Sequence, residues 1–311
     1  MGGWWTWFNG LLYGVGGLAC AGVAILVAFQ EKLVYVPVIP GVKRGYPYSP
    51  THFNLRYEDV WLTAKDGIRL HSWFIESHVK RPGPTFLFFQ ENAGNIAHRL
   101  HFVHLMVRKL QCNVFMLSYR GYGDSEGFPS QHGIKLDAQA ALDYLHSRPD
   151  IDPSNIFVFG RSLGGAVGAA LVKDSPRKVA GLILENTFTS VLDMAGVLLP
   201  GLRYIVNGKG GLLNWFVKSP WKTIELIKHV DAPILFLSGL LDEMVPPSHM
   251  RELYDAAQDT SSARHTLVEF PDGTHMETWS QGGDRYWRSI EIFVQNCAAD
   301  TRSLSTSSID T

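Results

Sequence analysis

Six short apolar runs of strand length recur through this chain: Thr85–Phe89, Asn113–Ser118, Asn155–Phe159, Gly181–Leu184, Ile234–Leu237 and Thr266–Phe270. They are continuous rather than alternating, so both faces of each strand must be covered, and helix-length segments separate them. That combination fits an α/β fold, a parallel sheet with crossover helices on both faces. Ahead of them, Phe53–Thr63 and Ile68–Glu76 flank Lys65-Asp66-Gly67 and read as an antiparallel hairpin. Two hairpin strands and six buried ones predict a mostly parallel sheet of eight strands.

Three segments fall outside this rhythm. From Met1 to Gln30 there is no charged side chain, and Leu11–Phe29 is nearly pure hydrocarbon. Its nineteen residues span roughly 29 Å as a helix, close to the apolar thickness of a bilayer. Trp4, Trp5, Trp7 and Tyr13 stand at one end, where interfacial aromatics belong. A cleaved signal peptide is the rival reading, but no Lys or Arg precedes the run and the run is long for that purpose. Residues 1–30 are therefore expected to be a single transmembrane anchor, 31–52 a Pro- and Gly-rich connector, and 53–297 the α/β domain. Lys32, Lys43 and Arg44 follow the span, which favours a cytosolic domain. The second segment, 186–230, is too long for one crossover helix and rich in Leu, Trp and Phe; it reads as a cap over a site, or else as a longer helical layer. The third, 298–311, is Ser/Thr-rich and expected to be a disordered tail.

The formal net charge of −1 leaves no basic face for nucleic acid. Cys20, Cys112 and Cys297 are odd in number and widely spaced, which predicts thiols rather than a disulfide framework.

The chemistry centres on Gly160-Arg161-Ser162-Leu163-Gly164. A Ser hydroxyl is a weak nucleophile unless a base can reach it, and G-x-S-x-G presents it on a sharp turn between a strand and a helix. The apolar run before it and the small residues Gly165–Ala170 after it supply that context. Gly123-Asp124-Ser125-Glu126-Gly127 fits the same pattern but runs into Phe128-Pro129 instead of a helix, so Ser125 reads as loop structure. The partners of such a Ser follow as acid, then His. Asp242 stands just past the run Ile234–Leu237, and His275 follows the last run in a Pro271-Asp272-Gly273 turn. Glu185 is the reserve acid, Glu243 a solvated neighbour, and His249 and His265 read as helix and surface residues. An oxyanion hole needs two backbone N–H donors, one from Leu163 and one from the loop Gln90–Asn95, where Asn92 is favoured. His98, His101 and His104 lack companion ligands for a metal and read as a polar helix face.

Asn92-Ala93-Gly94-Asn95-Ile96, Arg120–Gly127 and Gly160–Gly165 together resemble the bud-emergence branch of the α/β hydrolases, and the chain is similar to animal α/β-hydrolase domain proteins with one N-terminal anchor. The resemblance spans nearly the whole chain. It implies a single-pass protein of the plasma membrane or endomembranes, with a Ser-Asp-His triad at Ser162, Asp242 and His275. Gln90-Glu91 replaces the His-Gly usual in that branch, and a carboxylate at Glu91 is expected to oppose a developing oxyanion. The function expected is cleavage of an ester or thioester of a lipid-like small molecule or an acylated protein beside the bilayer, with no metal or organic cofactor. The alternative is a membrane-tethered scaffold with a weak or inactive hydrolase fold.

Overall fold

In the computed structural model, which describes residues 3–79, 83–175, 177–259 and 264–307, eight strands form one sheet behind a long N-terminal helix. In chain order the elements are α1 (Gly3–Val34), β1 (Tyr57–Thr63), β2 (Arg69–Ile75), β3 (Thr85–Phe89), α2 (Leu100–Leu110), β4 (Asn113–Leu117), α3 (Gln131–Ser147), β5 (Ile156–Arg161) and α4 (Leu163–Asp174). They continue with β6 (Gly181–Glu185), α5 (Val191–Leu198), α6 (Thr223–Ile227), β7 (Ile234–Gly239), α7 (Ser248–Gln258), β8 (His265–Phe270), α8 (Thr278–Gln281) and α9 (Gly283–Ser307). The strand order is β1-β2-β4-β3-β5-β6-β7-β8. Strand β2 runs antiparallel to both of its neighbours, and every pairing from β4 to β8 is parallel.

The unbroken apolar runs do what period-two geometry requires of a doubly covered sheet. Leu87, Phe89, Val158, Leu182, Leu184 and Phe236 point into one core with α3, α4, α6 and α7. Their neighbours Phe86, Phe88, Phe157, Phe159, Ile183 and Leu235 point into the other with α2 and α9. On that side Phe88, Phe102 and Phe159 pack with ring centroids 5.6–5.8 Å apart. Each fully buried ring contributes about 1.5–3 kcal/mol of transfer free energy.

The structure moves several expected boundaries. Residues 53–56 are not strand, because Pro50 opens a 3-10 turn (Pro50–Phe53) that Asn54 closes at φ 54°. Helix α1 runs on to Val34 rather than ending at Gln30. Gln30 stays helical while its side chain donates to the Phe216 carbonyl (3.0 Å) and accepts from the Lys218 N–H (2.7 Å). The helix stops where Val36 bridges to Ala93. Within 186–230, Trp221, Ile227 and Val230 are buried in the core beneath α4, so this end belongs to the helical layer and the cap-like part is shorter than the inserted segment. The backbone of 298–307 continues α9 as helix, since no Gly or Pro follows Gly283 to interrupt it; 308–311 lie outside the described residues. The side chains of Trp4, Trp5 and Cys20 also lie outside them.

Candidate active site

Strand β5 ends at Arg161 and α4 begins at Leu163, which leaves Ser162 alone to turn the chain. It does so at φ 53°, ψ −120°, a region that a residue with a Cβ occupies only when its surroundings force it there. The forcing groups are plain. The Ser162 N–H donates to the Glu185 carbonyl (2.9 Å), and its own carbonyl accepts from Thr187 Oγ1 (2.6 Å) and the Gly165 N–H (2.9 Å). The turn is tight enough that a Cβ on Gly164 would sit 2.0 Å from the Phe89 carbonyl oxygen, and one on Gly160 2.1 Å from the Gly164 oxygen. Glycine at these two positions is a steric requirement of bringing α4 down onto β3 and β5.

His275 arrives from the loop after β8, 2% exposed, with Nδ1 2.7 Å from Asp242 Oδ2. The other Asp242 oxygen accepts from the backbone N–H groups of Met244 and Val245, both at 2.8 Å. Three hydrogen bonds therefore fix the carboxylate plane and aim it at the imidazole.

Two residues that sequence reading did not select hold this loop. Asn186, at φ 46° just past β6, donates Nδ2 to the carbonyls of Thr274 (3.2 Å) and His275 (3.1 Å) and to Thr278 Oγ1 (3.0 Å), while its Oδ1 accepts from the Gly239 N–H (2.8 Å). One side chain thus joins the ends of β6 and β7 to the loop carrying His275. Glu243, expected to be merely solvated, accepts the His275 backbone N–H at 3.1 Å. Hydrogen bonds from its own N–H and from that of His275 hold its carboxyl below the usual range. The signal for Asn186 was present in sequence, as an Asn at a strand's carboxyl end where a left-handed turn is tolerated.

The loop after β3 places Asn92 and Leu163 on one cavity, and among the described residues neither backbone N–H has a protein acceptor. Asn92 is held by its other groups: its carbonyl accepts from Tyr122 Oη (2.7 Å) and the Val36 N–H (3.0 Å), and its Nδ2 donates to the Val34 carbonyl (3.2 Å).

Glu91 corrects an expectation. Its carboxylate is buried, ion-paired to Arg99 and lying 3.2 Å from Arg161, and Glu91 is not among the residues that border the cavity. Burial alone would raise its pKa, but the two guanidiniums outweigh burial and hold it below the usual range. Arg161 in turn bonds Glu185 (2.7 Å), which also accepts from Tyr286 Oη (3.0 Å). The reserve acid Glu185, whose pKa burial pushes up, is thus part of a buried, formally neutral cluster of two carboxyl groups and two guanidiniums. His249 and His265 are buried rather than superficial, and His249 Nδ1 accepts the Thr189 N–H at 3.2 Å. Ser125 bonds the Ser118 carbonyl inside its loop. His98 caps the turn at Asn95 instead of sharing a helix face with His101 and His104. Among the described residues no group of three His, Cys, Asp or Glu side chains is placed to hold a metal.

Ser162, Leu163, Asn92 and His275 border a cavity of about 370 Å³ whose remaining walls are nearly all apolar. One wall is Phe188, Met194, Leu198, Leu202 and Phe216 from the inserted segment; another is the carboxyl-terminal third of α1. Ser162, the carboxylate-backed His275, and Leu163 and Asn92 with their unpartnered N–H groups thus border one largely apolar space.

Known proteins share both sequence and fold with this chain. Residues 132–301 match the prolyl oligopeptidase family. The α/β hydrolase domain-containing protein WAV2 of Arabidopsis thaliana is 60% identical over 97% of this chain and 99% of its own length. Protein bem46 of Schizosaccharomyces pombe is 38% identical over 92% of this chain and 94% of its own. Among solved structures, the Pyrococcus furiosus esterase Pf2001 superposes with a TM-score of 0.66 at 19% identity, covering 85% of this chain and 97% of that one, a likeness of fold. With sequence identity of this order along nearly its whole length, the chain belongs to the α/β hydrolases, in the branch that holds WAV2 and bem46.

Proposed function

We propose that the chain is a membrane-anchored serine hydrolase that cleaves an ester or thioester through an acyl-enzyme on Ser162. The observation that carries this reading is the convergence of Ser162, on its forced turn, and the His275–Asp242 pair on one cavity that Asn92 and Leu163 also border. In the first step Ser162 Oγ bonds to the acyl carbon while His275 Nε2 takes the Ser proton. The oxyanion lies toward the Leu163 and Asn92 N–H groups. Its collapse breaks the bond to the leaving oxygen or sulfur, which receives the proton from His275. Water then repeats the sequence on the acyl-enzyme, releasing the acid and restoring Ser162. Asp242 holds Nδ1 protonated, which leaves Nε2 free to act as the base, and stabilises the imidazolium.

Trp7–Val34 is long and apolar enough to cross a bilayer, and Lys32, Lys43 and Arg44 behind it support a cytosolic face for the domain. The apolar walls support an acyl group as the part of the substrate held in the cavity, on a lipid or an acylated protein. A fluorophosphonate probe tests the reading: wild type is labelled and Ser162→Ala is not. Absence of labelling in a folded wild-type sample overturns it.

A further inference from the structure

Helix α1 is built into the cavity, and that placement identifies where the substrate comes from. We propose that the last third of α1 forms one wall of an acyl-chain slot open to the leaflet, so that the substrate is a long-chain acyl ester or thioester taken directly from the bilayer. The chemistry at Ser162 rests on the hydrolase reading above; the slot does not.

The helix is docked, not merely attached. Besides the two Gln30 bonds to Phe216 and Lys218, Trp221 Nε1 donates to Tyr35 Oη (2.9 Å) and the Gly94 N–H donates to the Val36 carbonyl (3.0 Å). The loop that presents the Asn92 N–H is therefore tied to the end of the anchor, and the cap is tied to its last turns. The faces of α1 are sorted accordingly. Val23, Val27 and Val34 are half-buried and border the cavity, with Leu26 and Leu33 at its exposed edge, whereas Ile25 and Phe29, 59% and 50% exposed, do not border it.

Depth follows from helix geometry. Val23 lies within the uncharged run Leu11–Phe29, six residues before its end, which is about 9 Å along the axis. With α1 in a membrane, the slot reaches from the interface, where Ser162 and His275 lie, into the hydrocarbon of the same leaflet. The outer surface of the inserted segment agrees. Leu198, Tyr204, Leu212 and Trp215 are each at least 68% exposed, a patch suited to the boundary between headgroups and acyl chains beside the anchor. An acyl chain can pass from the leaflet along Val23 and Val27 to Ser162 without exposing its methylenes to water.

The test uses the full chain in phosphatidylcholine vesicles, with methylumbelliferyl palmitate in the bilayer and methylumbelliferyl butyrate in the water. Val27→Trp narrows the slot, and Ile25→Trp places the same bulk on the outward face. The slot predicts that Val27→Trp lowers kcat/KM for palmitate at least about tenfold while butyrate stays within about twofold, and that Ile25→Trp alters neither. Equal effects on both esters, or none, overturn it. A second readout needs no turnover: palmitic acid bearing a terminal diazirine, photolysed in vesicles with Ser162→Ala. Label concentrated on Val23, Val27 and the Leu198–Leu202 segment, and lost in the Val27→Trp background, supports the slot. Label spread evenly onto Ile25 and Phe29 refutes it. A chain inert to both esters but labelled in the slot refutes the hydrolase reading alone; a chain that cleaves both esters without slot label or Val27 effect refutes the slot alone.

Discussion

Replacing Glu91 with Gln separates two roles that its position in sequence left entangled. The side chain is 3% exposed and shares a pocket with Arg99, Arg161 and Glu185, which are 9%, 2% and 0% exposed. Two carboxylates and two guanidiniums sum to zero; Glu91→Gln leaves one positive charge unpaired while keeping size and hydrogen-bonding groups. Removing one partner of a buried pair costs about 3–5 kcal/mol. For a domain of this size each kcal/mol is worth about 2–4 °C, so the apparent Tm is expected to fall by about 6–20 °C. Tryptophan fluorescence of detergent-solubilised full-length protein, heated at one fixed rate, reads the change. The double variant Glu91→Gln/Arg99→Gln restores neutrality and should recover a coupling of about 0.5–3 kcal/mol. If Glu91→Gln melts with wild type and instead raises kcat, the carboxylate acts on the oxyanion and the ion-pair account is wrong.

Asp242→Asn keeps both backbone N–H bonds at Oδ1 but turns an amide toward His275, favouring the tautomer with Nε2 protonated; kcat is expected to drop by about 10³–10⁴ with the Tm little changed, as ester turnover and melting together show. Gly164→Ala drives a Cβ into the Phe89 carbonyl and should cost about 3 kcal/mol or more, seen as a lower denaturant midpoint. Burial depresses the pKa of His249, His265, His98, His104 and His146, so the unfolded chain binds protons first. Their contribution is complete above about pH 6.5 and is lost as the pH falls through the folded values. The apparent Tm should therefore decline between about pH 7 and pH 5, and His249→Asn should flatten part of that decline.

The sheet was legible because doubly covered strands read as continuous apolar runs: the six runs became β3 to β8, the last a partly exposed edge strand, with ends shifted by a residue or two. The elbow was equally open, since only glycine fits beside Phe89 and Thr187. Contacts distant in sequence stayed hidden. Nothing local in Gln90-Glu91 reveals that Arg99 and Arg161 will neutralise the carboxylate, because Arg99 reaches it only when the loop folds back and Arg161 only once β3 and β5 lie side by side. The Asn186 clamp joins residues some ninety positions apart. Helix α1 was read as a tether because its composition speaks only of lipid; its part in the cavity depends on Gln30 meeting a segment 186 residues away.

Catalysis by this chain requires a covalent bond to one oxygen, Ser162 Oγ. Trypsin cuts after Arg161, so Ser162 begins its own peptide, ending at Lys173. After wild-type protein in vesicles is mixed with methylumbelliferyl palmitate and quenched in acid, this peptide is predicted to carry one palmitoyl mass at Ser162, absent from the Ser162→Ala protein. Ester turnover by wild type with that peptide unmodified at every quench time, or an adduct on another residue that persists in Ser162→Ala, contradicts it.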